Sequence, residues 1–227
     1  KQTYVAGYKT KGFTPMHLSV MDGGLDMVEY IYYMSLNYGG MEVFLADTTG
    51  KINLLSGSQP QLDGLKLSEN GKKAAYLDTD ANTGDTILVE IELGKEKAET
   101  VATNVQSFGY IGNTLIYYFD YTEGVGTLGA AGSKTTIANA SGVQFTEDAV
   151  YYVADADAAT GNGELRAWDG KTETAIAKDV FAFQYKENGK LVYIGKYDVN
   201  AGVGDLYYYD GKEARKLDTG ITAIFIY

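Results

Sequence analysis

Residues 186–220 read KENGKLVYIGKYDVNAGVGDLYYYDGKEARKLDTG, from Lys186 to Gly220, and this stretch decides the fold. Asp210-Gly211, like Asp169-Gly170 in the preceding copy, joins a short polar side chain to a glycine, the pairing that supplies positive φ angles in tight hairpins, and predicts a type I′ turn, while Asn188-Gly189 predicts the turn back into the next strand. Between Asn188-Gly189 and Asp210-Gly211 lie two runs of β-branched and aromatic residues, LVYIGKYD and DLYYYD, separated by the glycine-containing segment VNAGVG. A short strand, ARKLD, follows Asp210-Gly211, and FAFQY precedes Asn188-Gly189. The stretch and its flank therefore predict four antiparallel strands linked by hairpins.

The same unit recurs outward from this copy. The runs IYYMSLN, AYLDTDA, IYYFDY, VYYVADAD and VYIGKYD superpose on Tyr32, Tyr76, Tyr117, Tyr151 and Tyr193. A second strand follows each, as EVFLAD, TILVEI, TLGA, ELRAWD and DLYYYD, and ends at Gly50, Gly94, Gly132, Gly170 and Gly211, at spacings of 44, 38, 38 and 41 residues. Third strands follow as INLLS, AETVA, TTIAN, TAIAK and ARKLD, and LKLSENG, FGYIGN, VQFTED, FAFQYKENG and AIFIY lead into the next copy. Four strands in up-and-down order over about 40 residues match the dimensions of a propeller blade. The expected fold is all-β, a β-propeller of four-stranded antiparallel blades, five in number, or six if residues 1–28 supply part of another.

Residues 1–28 read as an irregular N-terminal segment or partial blade, in which QTYVAGYK and MHLSVMD are strand candidates; residues 29–227 read as the β-propeller repeat domain. The phase of the repeat adds a second expectation. The chain ends on a blade's first strand while its first clear copy opens on a second strand, so pairing 223–227 beside 31–34 would close the ring and remove two exposed sheet edges. An open array is the alternative.

Composition agrees with strands and narrows the partners. The chain has 28 Gly and 20 Tyr but only 2 Pro, the balance of hairpins on pleated, half-buried surfaces. Nineteen basic against thirty acidic side chains give a net charge of −11, which repels phosphate backbones and argues against nucleic acid. No apolar run is long enough to insert in a membrane. The absence of Cys excludes disulfides, zinc–thiolate sites and thiol nucleophiles, and His17 is the single imidazole.

An Asn-Gly or Asp-Gly turn, an apolar-aromatic strand, an acidic loop, a strand ending near Asp-Gly and a short final strand make a pattern that resembles bacterial propeller repeats of the TolB and WD-like class. It is similar as well to uncharacterised surface proteins of Gram-positive bacteria, and the resemblance implies an extracellular or cell-surface location. The Trp and the Ser-Pro-Asp-Gly turn of TolB repeats are missing, so TolB's own role is not implied.

Residues that carry chemistry are sparse. Asp78, Asp80, Asn82 and Gly84 alternate in the second copy and resemble half a calcium loop, since calcium takes six to eight oxygen ligands around a tight turn. Thr83 and Val89 stand where an EF-hand needs Gly and Glu. Asp155, Asp157 and Gly161, then Asp198, Asn200 and Gly202, repeat the spacing, which hairpin turns also explain because Asp and Asn bond to their own backbone. The tyrosine column reads as blade packing, with an aromatic platform as the alternative. Trp168 reads as packing too. No nucleophile elbow, phosphate loop or dinucleotide fingerprint is present. Thirty acids supply carboxylate pairs for a glycosidase without a motif to frame any two.

These features lead to the expectation of a non-catalytic recognition or scaffold module of a bacterial surface or exported protein, binding a protein, peptide or glycan through one propeller face and leaning away from catalysis. A carbohydrate-active enzyme, a glycoside hydrolase or lyase with acids at the central opening, is one alternative. A structural spacer is the other.

Overall fold

The computed structural model describes residues 15–23, 28–37, 40–47, 52–56, 61–93, 95 and 98–224, with side-chain surroundings from residue 65 onward. Every regular element among them is a β-strand. A first sheet of four holds β1 (Pro15–Gly23), β2 (Val28–Asn37), β3 (Gly40–Asp47) and β4 (Ile52–Ser56) in sequence order. A second holds β5 (Gln61–Leu67), β6 (Lys73–Thr79), β7 (Thr86–Glu92) and β8 (Ala98–Thr103). The third is a ten-stranded meander of β9 (Val105–Ile111), β10 (Thr114–Thr122), β11 (Val125–Ala130), β12 (Thr136–Phe145), β13 (Val150–Ala154), β14 (Gly163–Trp168), β15 (Glu173–Glu187), β16 (Lys190–Asp198), β17 (Val203–Tyr209) and β18 (Ala214–Ile221). The chain divides into two compact units, residues 1–106 with 112–115 and residues 107–111 with 116–227. No helix among the described residues is long and apolar enough to cross a membrane.

The second sheet holds one copy of the repeat in the strand order the sequence predicts, and the first holds the three strands of the first copy, β2 to β4, with β1 beside β2. In the meander, β12 and β15 are long because each contains the last strand of one copy and the first strand of the next. A left-handed residue marks each junction: Asn104, Asn139, Asp179 and Gly220, at φ 56°, 55°, 56° and 70°. Asn, Asp and Gly are the residues that reach this conformation at least cost. The residue after the break is buried in three of the four, as Val105, Ala140 and Val180. Strand register slips just beyond it in β12 and β15, between Ser141 and Gln144 and between Val180 and Ala182.

The register changes three expectations. Ile31 and Met34 pair with Val20 and His17 of β1 on one side and with Ala46 and Val43 of β3 on the other. The edge expected to receive 223–227 is thus taken by β1, a hairpin neighbour whose loop is far cheaper to close than one spanning most of the chain. Residues 225–227 and the QTYVAGYK candidate lie outside the described residues. Secondly, Asp169-Gly170 and Asp210-Gly211 are not type I′ turns. Trp168 pairs with Glu173 and Tyr209 with Ala214, so each loop has four residues, and its Asp side chain accepts the turn amides. Asn188-Gly189, with φ of 50° and 73° at its two residues, does make a two-residue hairpin, as does Glu123-Gly124 between Thr122 and Val125.

The third change concerns the tyrosine column. Asp120, Asp155 and Lys196 are left-handed near the ends of their strands, at φ 51°, 48° and 53°. Each follows a residue whose carbonyl lies against a glycine of the partner strand. A Cβ added at Gly126, Gly163 or Gly204 would come within 2.9, 2.4 and 2.9 Å of the carbonyl oxygens of Phe119, Ala154 and Gly195. Counting back three residues from the break brings Tyr117, Tyr152 and Tyr193 into one column, with Tyr151 displaced by one place.

The core of the second unit is layered between copies. One cluster gathers Ile116, Tyr118, Leu128 and Ala140 with Val150, Tyr152 and Trp168. The next gathers Tyr151, Val153 and Leu165 with Val180, Phe183, Leu191 and Tyr193. β13 contributes to both, and all five of its residues are buried. A strand covered on both faces loses the inside–outside alternation of a half-solvated sheet. Burial of each such large side chain stabilises by about 1.5–3 kcal/mol, so tyrosines serve as core here. Tyr118 shows how its polar tip is satisfied: its hydroxyl donates to the Ala140 carbonyl at 2.8 Å.

Candidate functional site: the hairpin loops of the repeats

The loops at 80–85, 157–162 and 198–203 follow one plan. Gly84, Gly161 and Gly202 each donate a backbone N–H to the carbonyl of the aspartate four residues earlier, at 2.8, 2.7 and 2.8 Å. That aspartate's side chain closes the turn. Asp80 Oδ1 accepts from the amides of Asn82 and Thr83 at 2.8 and 3.1 Å, Asp157 Oδ1 from Ala159 and Thr160 at 3.0 and 2.9 Å, and Asp198 Oδ1 from Asn200 and Ala201 at 2.8 and 3.2 Å. These backbone hydrogen bonds hold the Asp80 and Asp157 carboxyls below the usual carboxylate range, so both carry charge at neutral pH.

The calcium candidates separate by role. Asp78 is buried on β6, and its Oδ1 accepts from the Thr79 amide at 2.8 Å. Asn82 is exposed and Asp80 half-buried, and Asp80 directs one oxygen to its own turn. Among the described residues, no three His, Asp or Glu side chains converge as a metal-binding group. His17 lies on β1 opposite Met34.

The loops of the fourth and fifth copies are clamped together. Asn162 Nδ2 donates to the Tyr197 carbonyl at 2.9 Å while the Tyr197 amide donates to Asn162 Oδ1 at 3.1 Å, so one carboxamide satisfies both backbone groups of a residue in the next copy. Phe181 stacks on Tyr197 beside this clamp, with centroids 3.9 Å apart and rings 9° from parallel. Phe181 is 37% exposed and Val199 is 52% exposed. Sequence reasoning passed over Phe181 and Asn162 because neither sits in the tyrosine column or among the alternating acids. The available signal was difference: two residues past the left-handed junction the copies read Gln106, Ser141 and Phe181.

Two further groupings carry charge. Arg166 bonds Glu164 at 2.6 Å and also bonds Glu173. The fully buried Tyr152 hydroxyl beside them makes no hydrogen bond, and burial, with the Glu173 carboxylate near it, raises its pKa far above that of a free phenol. On the face of β6, β7 and β8, a concavity of about 260 Å³ is lined by Lys73, Glu90, Glu92, Lys95 and Glu99. Lys73 pairs with Glu90 and Lys95 with Glu92, each at 2.8 Å, so two of its three carboxylates are engaged by lysines rather than facing one another as an acid and a base.

No protein-family model matches the chain, and no curated protein is significantly similar in sequence. Solved structures do share its fold. An acylaminoacyl peptidase bound to a chloromethyl ketone superposes at a TM-score of 0.50 with 12% identity, over 92% of this chain and 40% of the peptidase. The β-propeller domain of the Trilobed protease from Pyrococcus furiosus gives 0.50 and 14%, over 88% of this chain and 71% of that one. A eukaryotic initiation factor gives 0.52 and 8%, over 90% and 55%. The chain thus spans about two-fifths of the length of the acylaminoacyl peptidase it matches. The fold is propeller-like, a likeness shared across these proteins that does not single out TolB. The expectation that leans away from catalysis is corrected, because the fold is shared with a peptidase and with a domain of a protease.

Proposed function

We propose that this chain is the substrate-recognising propeller of an enzyme that hydrolyses peptides, its hairpin loops presented to the peptide. The observation that carries the reading is the overlap of nine-tenths of the chain with part of an acylaminoacyl peptidase, joined by the overlap with a protease's propeller domain. Likeness of fold is warrant by analogy, so the site supplies the remaining support. Between the fourth and fifth copies, the Asn162 carboxamide clamps the loops next to an exposed aromatic stack, and the ionised Asp157 belongs to one of these loops, an arrangement suited to a polar chain with side chains of mixed character. In this reading the repeats are five four-stranded blades in an exported or surface protein, the location following from the resemblance of the repeats.

Incubating the 227-residue chain with a library of N-acylated and free oligopeptides, with the bound peptides recovered and read by mass spectrometry, tests the proposal. Retention of a subset of the peptides is the expected result. Retention of no peptide overturns it, as does selective retention of oligosaccharides in a parallel incubation.

A further inference from the structure

The tetrapeptide Glu-Asn-Gly-Lys occurs twice, at 69–72 and 187–190, so two Asn-Gly pairs share their immediate neighbours and differ in how the fold holds them. A third Asn-Gly pair stands at 162–163. We propose that Asn188 is a site of spontaneous covalent modification, in which its own backbone converts the carboxamide into a carboxylate, while hydrogen bonds protect Asn70 and Asn162. The inference is independent of the peptide reading above.

Glycine after asparagine favours this chemistry because no Cβ shields the following amide nitrogen. The Gly189 nitrogen gives up its proton to base and attacks Asn188 Cγ. A new C–N bond closes a succinimide ring, and the side-chain nitrogen leaves as ammonia, carrying the proton the backbone lost. Water then adds to one of the two ring carbonyls and breaks a ring C–N bond. The product is aspartate, or isoaspartate where the chain is rerouted through Cγ. Water is the only co-reactant. Both the carboxamide and the peptide unit that carries the attacking nitrogen must be free to move.

At Asn70 neither is free. Its Oδ1 accepts from Ser68 Oγ at 3.0 Å and from the Lys72 amide at 2.9 Å, and its own amide donates to Asn113 Oδ1 at 3.0 Å. The Gly71 nitrogen donates to the Ser68 carbonyl at 2.8 Å. At Asn162 both ends of the carboxamide are held by Tyr197, and Gly163 is so closely packed that an added Cβ would stand 2.4 Å from the Ala154 carbonyl oxygen. Asn188 differs from both. It is exposed, and its carboxamide makes no hydrogen bond among the described residues. The Gly189 nitrogen donates to the Tyr185 hydroxyl at 3.4 Å, longer than a well-formed N–H···O bond. Asn70 is exposed as well, so hydrogen bonding rather than solvent access separates the two copies of the tetrapeptide.

The modification reaches the core. It adds one negative charge to the −11 of the chain, and isoaspartate lengthens the backbone inside a two-residue hairpin whose φ angles are 50° and 73°. That hairpin sets the β15–β16 register, in which Phe183 pairs with Tyr193 and Tyr185 with Leu191. Phe183, Leu191 and Tyr193 belong to the buried cluster between the fourth and fifth copies. Aspartate, by contrast, suits the same turn.

The test ages the folded chain in warm, mildly alkaline buffer beside a sample unfolded in guanidinium chloride. Both are mapped by mass spectrometry, with isoaspartate read by a methyltransferase specific for it. In the unfolded sample Asn70 and Asn188 are expected to react at equal rates. In the folded chain Asn188 is expected to react about tenfold faster than Asn70, the factor set by hydrogen bonds that must break before attack, and faster than Asn162. Asn188→Gly, which keeps the turn, removes the early product. The isoaspartate-bearing chain is expected to melt below both the fresh chain and Asn188→Asp. Equal rates at Asn70 and Asn188 in the folded chain, faster reaction at Asn70 or Asn162, or no reaction at Asn188 while the unfolded sample reacts overturns the inference. Unchanged melting of the isoaspartate-bearing chain overturns its structural consequence.

Discussion

At the scale of single residues, glycine and aspartate do most of the local work, and for different reasons. Gly204 is required by close approach: a Cβ there would stand 2.5 Å from the Ile194 side chain and 2.9 Å from the Gly195 carbonyl. Gly126 and Gly163 repeat the constraint in the two preceding copies. Gly204→Ala is therefore expected to destabilise by about 1–3 kcal/mol through overpacking, read as a lower urea midpoint at an unchanged slope. The aspartates instead act as side-chain acceptors that close turns. Asp80, Asp157, Asp169, Asp198 and Asp210 all bind amides two and three residues ahead. This recurrence gives one aspartate of each alternating group a turn-closing role, while Asp78 and Asp155 lie outside it. The spacing alone could not separate the two readings, because a calcium loop and an Asx turn need the same residue types in the same order.

Between elements, the copies are joined by side chains that imitate a strand. Gln144 near the end of β12 donates its Nε2 to the Phe183 carbonyl at 3.0 Å, and its Oε1 accepts the Tyr185 amide at 3.0 Å. One carboxamide thus makes both hydrogen bonds that a neighbouring strand would make to β15, as Asn162 does at Tyr197. Gln144→Leu leaves these two backbone groups unpaired. It is expected to cost about 1–3 kcal/mol and to speed hydrogen exchange at the Tyr185 amide more than at amides inside the β15–β16 ladder. The strands themselves were legible in the sequence, since hairpin glycines and alternating apolar residues are local signals. Their hand-over points were less so. Asn104, Asn139, Asp179 and Gly220 look like ordinary turn residues, and only the backbone angles show that they bend continuing strands.

On the scale of the whole molecule, the layered core predicts an alkaline limit to stability. Burial raises the pKa of Tyr118 to about 12, with a smaller contribution from the nearby Tyr121. It also raises Tyr117, Tyr151, Tyr152 and Tyr193 above the ordinary phenol value. The folded state therefore favours the protonated phenols. Their contribution is fully present below the unfolded phenol pKa of about 10 and is lost as pH rises through the raised folded values. Urea midpoints are expected to hold from pH 7 to 9 and to fall steeply between about pH 10 and 12, with tyrosinate absorbance at 295 nm rising in the same step as unfolding. Gradual ionisation of these tyrosines without loss of structure would contradict the buried column.

The all-β class, the period, the positions of most strands and the use of tyrosine as core were legible in the chain before folding, because each depends on interactions within a few residues or on a pattern repeated every 38–44 residues. The sequence also led to three readings that tertiary structure decided differently. β1 rather than the C-terminal residues lies beside β2, Tyr152 rather than Tyr151 shares a column with Tyr117 and Tyr193, and Asp169 and Asp210 open four-residue loops. Each turns on register, which a one-residue slip reverses and which no local signal encodes. The candidate site depends on register even more strongly. Phe181, Tyr197, Gly161 and Asn162 come from two copies and are separated by as many as 36 residues, so only the pairing of the strands between them brings the aromatic stack, the bare glycine and the clamping carboxamide to one place.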